Sequence, residues 1–446
     1  MQEREFFPDG TPIDEWFYDT RVPELSELGK PYVLTDYDIQ DDGRLHTKEI
    51  QALIDRIAEE GGGVLVVPPG IYETGALFFK QGVSLYVDGG GVLRGSDDIS
   101  DYPLMTTRIE GQTCPYFAAL INVIGLKGFT MCGPGTIDGH GVRSWRSFWL
   151  RRNWNIECTN KDEHRARLVF IADCEDVLVA GLHLQNSQFW TNHLYRSRRV
   201  KYIGCRIFSQ ATPLGGPSTD ALDIDVCTDV LVKNCRMEVN DDAVVLKGGK
   251  GPWADEAPEN GMNERILVED CTYGFCHGCL VCGSESIHNR NVIMRRVQVD
   301  CGNNLLWLKM RPDTPQHYEY ITVDDVHGKV VSFFNVNPWT QFFDTQGRTD
   351  IPLSLADHVT VKNCTFDCEI FMNVRPEPSQ YRLADFTLEN VTIRTDAEGY
   401  PTDAIENLTM ENVSVELTGN EPTAWNARDN VSWKTTTSED AAFGKK

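Results

Sequence analysis

The 446-residue chain predicts an all-β fold, a parallel β-helix capped at its N-terminal end by one α-helix. Three observations predict it. A weak four-residue unit, apolar-x-polar-Cys/Val followed by a polar strand, recurs from about residue 120 onward. It reads Tyr202-Ile203-Gly204-Cys205, Val232-Lys233-Asn234-Cys235, Val268-Glu269-Asp270-Cys271, Val323-Asp324-Asp325-Val326, Val361-Lys362-Asn363-Cys364, Leu388-Glu389-Asn390-Val391 and Met410-Glu411-Asn412-Val413. The closest intervals are about 22 residues, with longer ones explained by insertions such as 248–263. Second, the β-type runs are separated by Asn or Gly turns with no amphipathic helix between them. The recurring Asn is suited to a ladder in which each amide bonds the next coil. Leucine-rich repeats are the structural rival, but their Leu spacing is missing. Third, residues 47–60 carry an apolar stripe of Ile50, Leu53, Ile54 and Ile57 and end at Gly61-Gly62-Gly63, the pattern of a helix covering an open solenoid end.

The elements in order are an arm over residues 1–32, a β-helix over 33–422 and a tail over 423–446, loosely held from Ser432. Val64-Leu65-Val66-Val67 is the first buried strand, and Pro68-Pro69-Gly70 the turn after it.

Composition narrows the function. A formal charge of −24 argues against nucleic acid and anionic membrane surfaces as partners, and requires a locally basic cleft for any polyanionic substrate. No run is long and apolar enough to cross a membrane, and the first residues lack the basic and apolar regions of a secretory signal, so a cytoplasmic location is expected, or a periplasmic or secreted one if a signal has been removed. The 14 cysteines are too sparse for a disulfide scaffold; Cys205, Cys235, Cys271 and Cys364 share one strand position and read as small buried thiols in a reducing compartment. Cys276, Cys279 and Cys282 have an iron–sulfur-like spacing, but on a strand Cys279 and Cys282 would face opposite ways.

Residues 218–247 gather the chemistry. Asp220 and the pair Asp241-Asp242 lie about one coil apart, which stacks three carboxylates on one face. Such a cluster repels itself and splits its pKa values, as acid–base chemistry requires.

Several segments resemble the polygalacturonase family, glycoside hydrolase family 28, of the exo-acting, pectin-degrading type. They are Asp41-Asp42-Gly43, the helix to Gly63, Val66-Val67-Pro68-Pro69-Gly70-Ile71-Tyr72, Gly133-Pro134-Gly135-Thr136-Ile137-Asp138-Gly139 and Asn186-Ser187-Gln188-Phe189-Trp190. Four active-site motifs follow in the family's order. Asn-Thr-Asp-Gly-x-Asp is Ser218-Thr219-Asp220-Ala221-Leu222-Asp223, and Gly-Asp-Asp-Cys is Asn240-Asp241-Asp242-Ala243. Gly-His-Gly with Gly-Ser is Cys276-His277-Gly278 with Gly283-Ser284-Glu285. Arg-Ile-Lys is Lys309-Met310-Arg311, or else Trp307 stands at the Arg position and Lys309 keeps the Lys. The resemblance covers about residues 33–415 and implies a right-handed β-helix that hydrolyses α-linked galacturonides with inversion.

It also implies roles. Asp242 would be the general acid, with Asp220 and Asp241 holding and deprotonating the water. His277 would orient the acid or bond a sugar hydroxyl, and Lys309 and Arg311 would take a uronate carboxylate. Lys247 is a further candidate contact. Trp190 and His193 match a segment near the leaving end of the cleft, and the cluster Trp145 to Arg152 reads as an inserted loop walling off one end, which favours exo action. No cofactor or metal is expected. The rivals are a lyase of the same fold, its aspartates binding calcium and a Lys or Arg taking the proton beside a uronate carboxyl, and a carbohydrate-binding β-helix without activity.

Overall fold

In the computed structural model, residues 5–209, 215–399 and 404–420 are described; the predicted tail lies outside them. Strand Pro31–Val33 pairs in parallel with Gly63–Val67, and the stack climbs coil by coil from there to Tyr381–Gly399 against Thr409–Leu417. The expected parallel β-helix is therefore present. Its register is direct: Leu222 pairs with Val244, Val244 with Leu280, and Leu280 with Leu306. Alternate side chains of these strands enter one continuous apolar core.

The repeat unit has a local cause. Its third residue takes the left-handed conformation that turns the corner: Asn234, Asp270, Asp325, Asn363, Asn390 and Asn412 have φ between 53° and 57°. Asn and Asp tolerate that conformation best among residues with a side chain. The amides ladder as expected, Asn412 donating to Asn390 at 2.8 Å and Asn390 to Asn363 at 3.2 Å. The next residue turns inward, which places Cys205, Cys235, Cys271 and Cys364 in the interior as free thiols. Cys279 and Cys282 require a correction. Both are buried in the core rather than on opposite faces: the strand register runs from Gly278 to Leu280 and skips Cys279, so alternation begins only at Leu280.

Helix α1, Thr47–Glu59, buries Ile50, Leu53, Ile54 and Ile57 over the first coil. It stops where Gly61 (φ 99°) and Gly62 (φ 105°) donate back to Ala58 and Ile57, a Schellman arrangement that needs the glycines. The N-terminal arm lies along the outside of the stack, where Phe7, Ile13 and Phe17 pack on Leu231, Leu267 and Ile293.

Two insertions depart from the coil. The segment read as a loop around Trp145 is helix α2, Val142–Trp154. Its mixture of Trp and Arg hid the periodicity, since both Trp145 and Arg152 are buried. The other insertion is an antiparallel hairpin of Leu104–Ile109 and Gln112–Phe117, closed by a two-residue turn at Glu110 (φ 48°) and Gly111 (φ 69°).

Candidate active site

One outer face of the stack forms a cleft floor. His193, Asp223, Val245, Val281, Trp307 and Asn335 stand in one column across successive coils, and Tyr195, Asp225 and Lys247 in the next. Asp220 and Asp242 are neighbours because the Ala221 amide donates to the Asp242 carbonyl at 2.9 Å, and His277 stacks over Asp241 through its amide at 2.8 Å. One oxygen from each of Asp220, Asp241 and Asp242 falls within 4.8 Å of the others. Gly278 leaves them room: a Cβ there would come within 3.1 Å of the Asp242 carboxylate and 2.2 Å of Val281.

The three carboxylates do not share one electrostatic fate. Burial, then the charges of Asp223 and Asp241, push Asp220 well above the usual carboxylate range. Burial, against the pull of Lys309 and with the push of Asp241, also raises Asp242. Burial acts on Asp241 too, but the hydrogen bond and charge of His277, aided by Lys309 and Lys247, bring it below its ordinary value. The His277 Nδ1 stands 3.5 Å from Asp241 Oδ1. A site holding both a proton-retaining and an ionised carboxylate is equipped to give one proton and take another.

Lys309 Nζ donates to Asp242 Oδ2 at 2.6 Å and sits 4.1 Å from the Trp307 ring centre. Lys247 lies 3.1 Å from Glu285 and 3.7 Å from Asp223, with its ammonium 5.0 Å from the Trp190 ring centre. Arg311 is held by Asp313 through two hydrogen bonds of 2.7 and 2.9 Å and also donates to the Phe342 carbonyl. Its fork is therefore occupied within the wall, and Lys309 is the cation that reaches the carboxylate cluster.

Trp190, Asp220, Asp241, Asp242, Lys247, Lys309 and Arg311 all line the pocket above this floor. One end is shut by the hairpin. A Cβ on Gly111 would lie 2.9 Å from both the Glu285 side chain and the Gly249 backbone, so the tip rests directly on the far wall. Beside it Glu110 accepts from Asn160 at 3.0 Å. Helix α2 is fastened beside the cleft by its indoles: Trp145 donates to the Ser187 carbonyl at 2.9 Å and Trp149 to the Gly215 carbonyl at 3.1 Å.

His193, like Arg311, departs from its expected role. Its ring has no exposed surface, bonds Arg167 at 2.7 Å and faces Asp225 at 3.5 Å. Burial pushes it down to about 4, so it is a neutral prop under the floor and not a sugar contact. The residues that sequence reasoning passed over are Glu110, Asn160, Asp223, Lys250, Trp339 and Gln341. Asp223 stood in the first motif and was readable; the Glu110-Gly111 turn between two β-rich runs was the signal for the hairpin.

The chain is a parallel β-helix with a carboxylate-floored cleft on one outer face. Residues 104–305 match the sequence model of Glycosyl hydrolases family 28. The match spans a little under half of the chain. A probable polygalacturonase of Vitis vinifera is 29% identical over 245 residues, 53% of this chain and 47% of the relative. An exo-poly-alpha-D-galacturonosidase of Dickeya chrysanthemi is 32% identical over 149 residues, 31% of this chain and 24% of the relative. The chain thus spans half or less of the length of these two curated relatives. The crystal structure of a hyperthermoactive exopolygalacturonase from Thermotoga maritima shares the fold, with a TM-score of 0.73 over 89% of this chain and 93% of that one at 22% identity. Among the described residues no helix is long and apolar enough to cross a membrane.

Proposed function

We propose that this chain is an inverting exo-hydrolase that removes terminal α-linked galacturonic acid from pectic oligosaccharides, either homogalacturonan or rhamnogalacturonan fragments. The observation that carries the reading is a pocket closed at one end, floored by three carboxylates, with Lys309 in contact with one of them. Asp242 protonates the leaving glycosidic oxygen. Asp241, kept ionised by His277, accepts the proton of the water that it and Asp220 hold. Lys309, and Lys247 two coils away, attract the uronate, which answers the mismatch between an acidic protein and an acidic substrate. Once the substrate carboxylate draws Lys309 away from Asp242, the charge that favours ionised Asp242 is gone, and the acid keeps its proton at higher pH. The buried free thiols suit a compartment where cysteines stay reduced.

The test is a product time course by mass spectrometry on reducing-end-labelled galacturonan and rhamnogalacturonan oligosaccharides. Stepwise loss of one saturated uronic acid is expected. An unsaturated product that disappears with a calcium chelator would establish the lyase instead, and binding without turnover would establish a carbohydrate-binding protein.

A further inference from the structure

A second cluster of ligating side chains lies outside the cleft. Strands His288–Val299, His317–Pro338 and Ser354–Val374 stack in register, pairing His288 with His317 and Glu319 with Asp357. Residues two apart on a strand share a face, so four potential donors from three coils converge on one outer patch. The two imidazole rings are parallel, 10° between planes and 5.1 Å between centres. His288 Nε2 is 2.9 Å from Glu319 Oε1, and His317 Nε2 is 4.0 Å from Glu319 Oε2 and 3.1 Å from Asp357 Oδ2. One ligating atom from each of His288, His317 and Glu319 lies within 4.8 Å of the others.

We propose that His288, His317, Glu319 and Asp357 form a binding site for a divalent transition-metal ion of the zinc class, separate from the carboxylate cleft. Tetrahedral zinc with nitrogen and oxygen ligands at about 2.0–2.1 Å sets its donor atoms about 3.3 Å apart. The His288–Glu319 and His317–Asp357 separations of 2.9 and 3.1 Å lie near that value and the His317–Glu319 separation of 4.0 Å exceeds it; His288, His317 and Glu319 form the compact set, and Asp357 adjoins it through His317. Two imidazoles with two carboxylates favour zinc, cobalt or nickel over calcium or magnesium, which take oxygen donors. The carboxylates are buried while the two imidazoles are half-buried, so an ion has a route in from solvent. Arg290 is the nearest opposing charge, and it is shared between Glu319 Oε1 at 2.7 Å and Asp9 at 3.0 Å, which leaves Glu319 Oε2 on the His317 side. Asp357 Oδ1 is taken by His358 at 2.7 Å, and its other oxygen faces His317. The ion would tie three coils together where the chain leaves the cleft wall, since the His317 amide bonds the carbonyl of Ile287, two residues after Glu285.

The test titrates metal-stripped, full-length protein with zinc chloride against a chromophoric chelator. One zinc per chain is expected, with affinity at least tenfold weaker in His317→Ala and in Glu319→Gln and unchanged in Asp241→Asn. Zinc should also raise the melting temperature of the unaltered protein saturably. Should those variants fail to fold, cobalt(II) added to the unaltered protein supplies a second readout: a tetrahedral visible spectrum with no sulfur charge-transfer band. The proposal is overturned by the absence of stoichiometric binding. It is equally overturned by binding lost only in Asp241→Asn, which would place the ion in the cleft, or by a thiolate band, which would place it on a cysteine.

Discussion

Arg108 and Asp225 form an ion pair with Nε and Oδ2 3.0 Å apart and no exposed side-chain surface on either partner. The pair joins the inserted hairpin to the cleft floor. Arg167 adds a second clamp, donating to the Arg108 carbonyl at 2.9 Å and to Thr107 at 2.8 Å while bonding His193. The closed end of the pocket is therefore fastened by buried charge and not only by loop packing. Breaking one partner of such a pair leaves an uncompensated buried charge and costs about 3–5 kcal/mol. Arg108→Met is expected to lower stability by roughly that amount in chemical denaturation. In the surviving folded protein, single-residue release should give way to longer products on labelled oligosaccharides. An unaltered product ladder would show that the hairpin does not set the mode of attack.

Gly111 tests the same closure without touching a charge. Its φ of 69° and the 2.9 Å approach to Gly249 both exclude a side chain. Gly111→Val should lift the tip, raise KM for short oligosaccharides several-fold and admit internal cleavage, with a lower Tm because Gly111 is buried and a β-branched residue is strained at positive φ.

Asp242→Asn should reduce kcat by roughly 10²–10⁴-fold, the contribution of a positioned acid, with an unchanged circular dichroism spectrum. Turnover near that of the unaltered protein would remove Asp242 from the chemistry.

Lys309 gives a pH signature. In the free protein it pulls Asp242 toward the ionised form, against burial and the charge of Asp241. Lys309→Met removes that pull, so the pKa of Asp242 rises and the alkaline limb of kcat/KM moves to higher pH, while KM for uronates increases. Asp220, Asp241 and Lys247 also face this group, and an unmoved limb would assign the titration to one of them.

Asp220 links the site to stability. Its carboxyl is raised well above the usual range by burial and then by Asp223 and Asp241, so the folded state binds a proton that the unfolded chain has released. Stability must then fall as pH rises from the unfolded value of about 4 through the folded one. Asp220→Asn is expected to abolish turnover and raise Tm at neutral pH, with the gain shrinking as pH is lowered toward 4. A constant difference across that window would mean that the carboxylate is not strained by burial.

The stereochemistry of the product is a separate check. The three carboxylates approach within 4.8 Å at their nearest oxygens. Inverting pairs are typically about 6.5–9.5 Å apart and retaining pairs about 5–5.5 Å. Proton NMR of the first product should show the β anomer if Asp220 and Asp241 activate water. An α anomer would make one of them a nucleophile.

The sequence alone determined the stack, because its signals are local. The turn at Asn234, Asn363 or Asn412 needs a residue that tolerates positive φ, the next position must be small and apolar, and that pair recurs once per coil. The same regularity placed Asp220, Asp241, Asp242 and His277 together, since coil stacking converts a fixed interval into contact. What only the tertiary structure decided are the contacts of the insertions. No interval relates Arg108 to Asp225, Gly111 to Glu285 or Asn160 to Glu110, because hairpin and helix fold back over coils far along the chain. It also decided which polar side chains were buried as partners of one another. His193 and Arg311 read as sugar contacts from their motifs, yet burial against Arg167 and Asp313 commits both to the scaffold. A buried polar group must be paired, and its partner is chosen by three-dimensional proximity rather than by sequence interval.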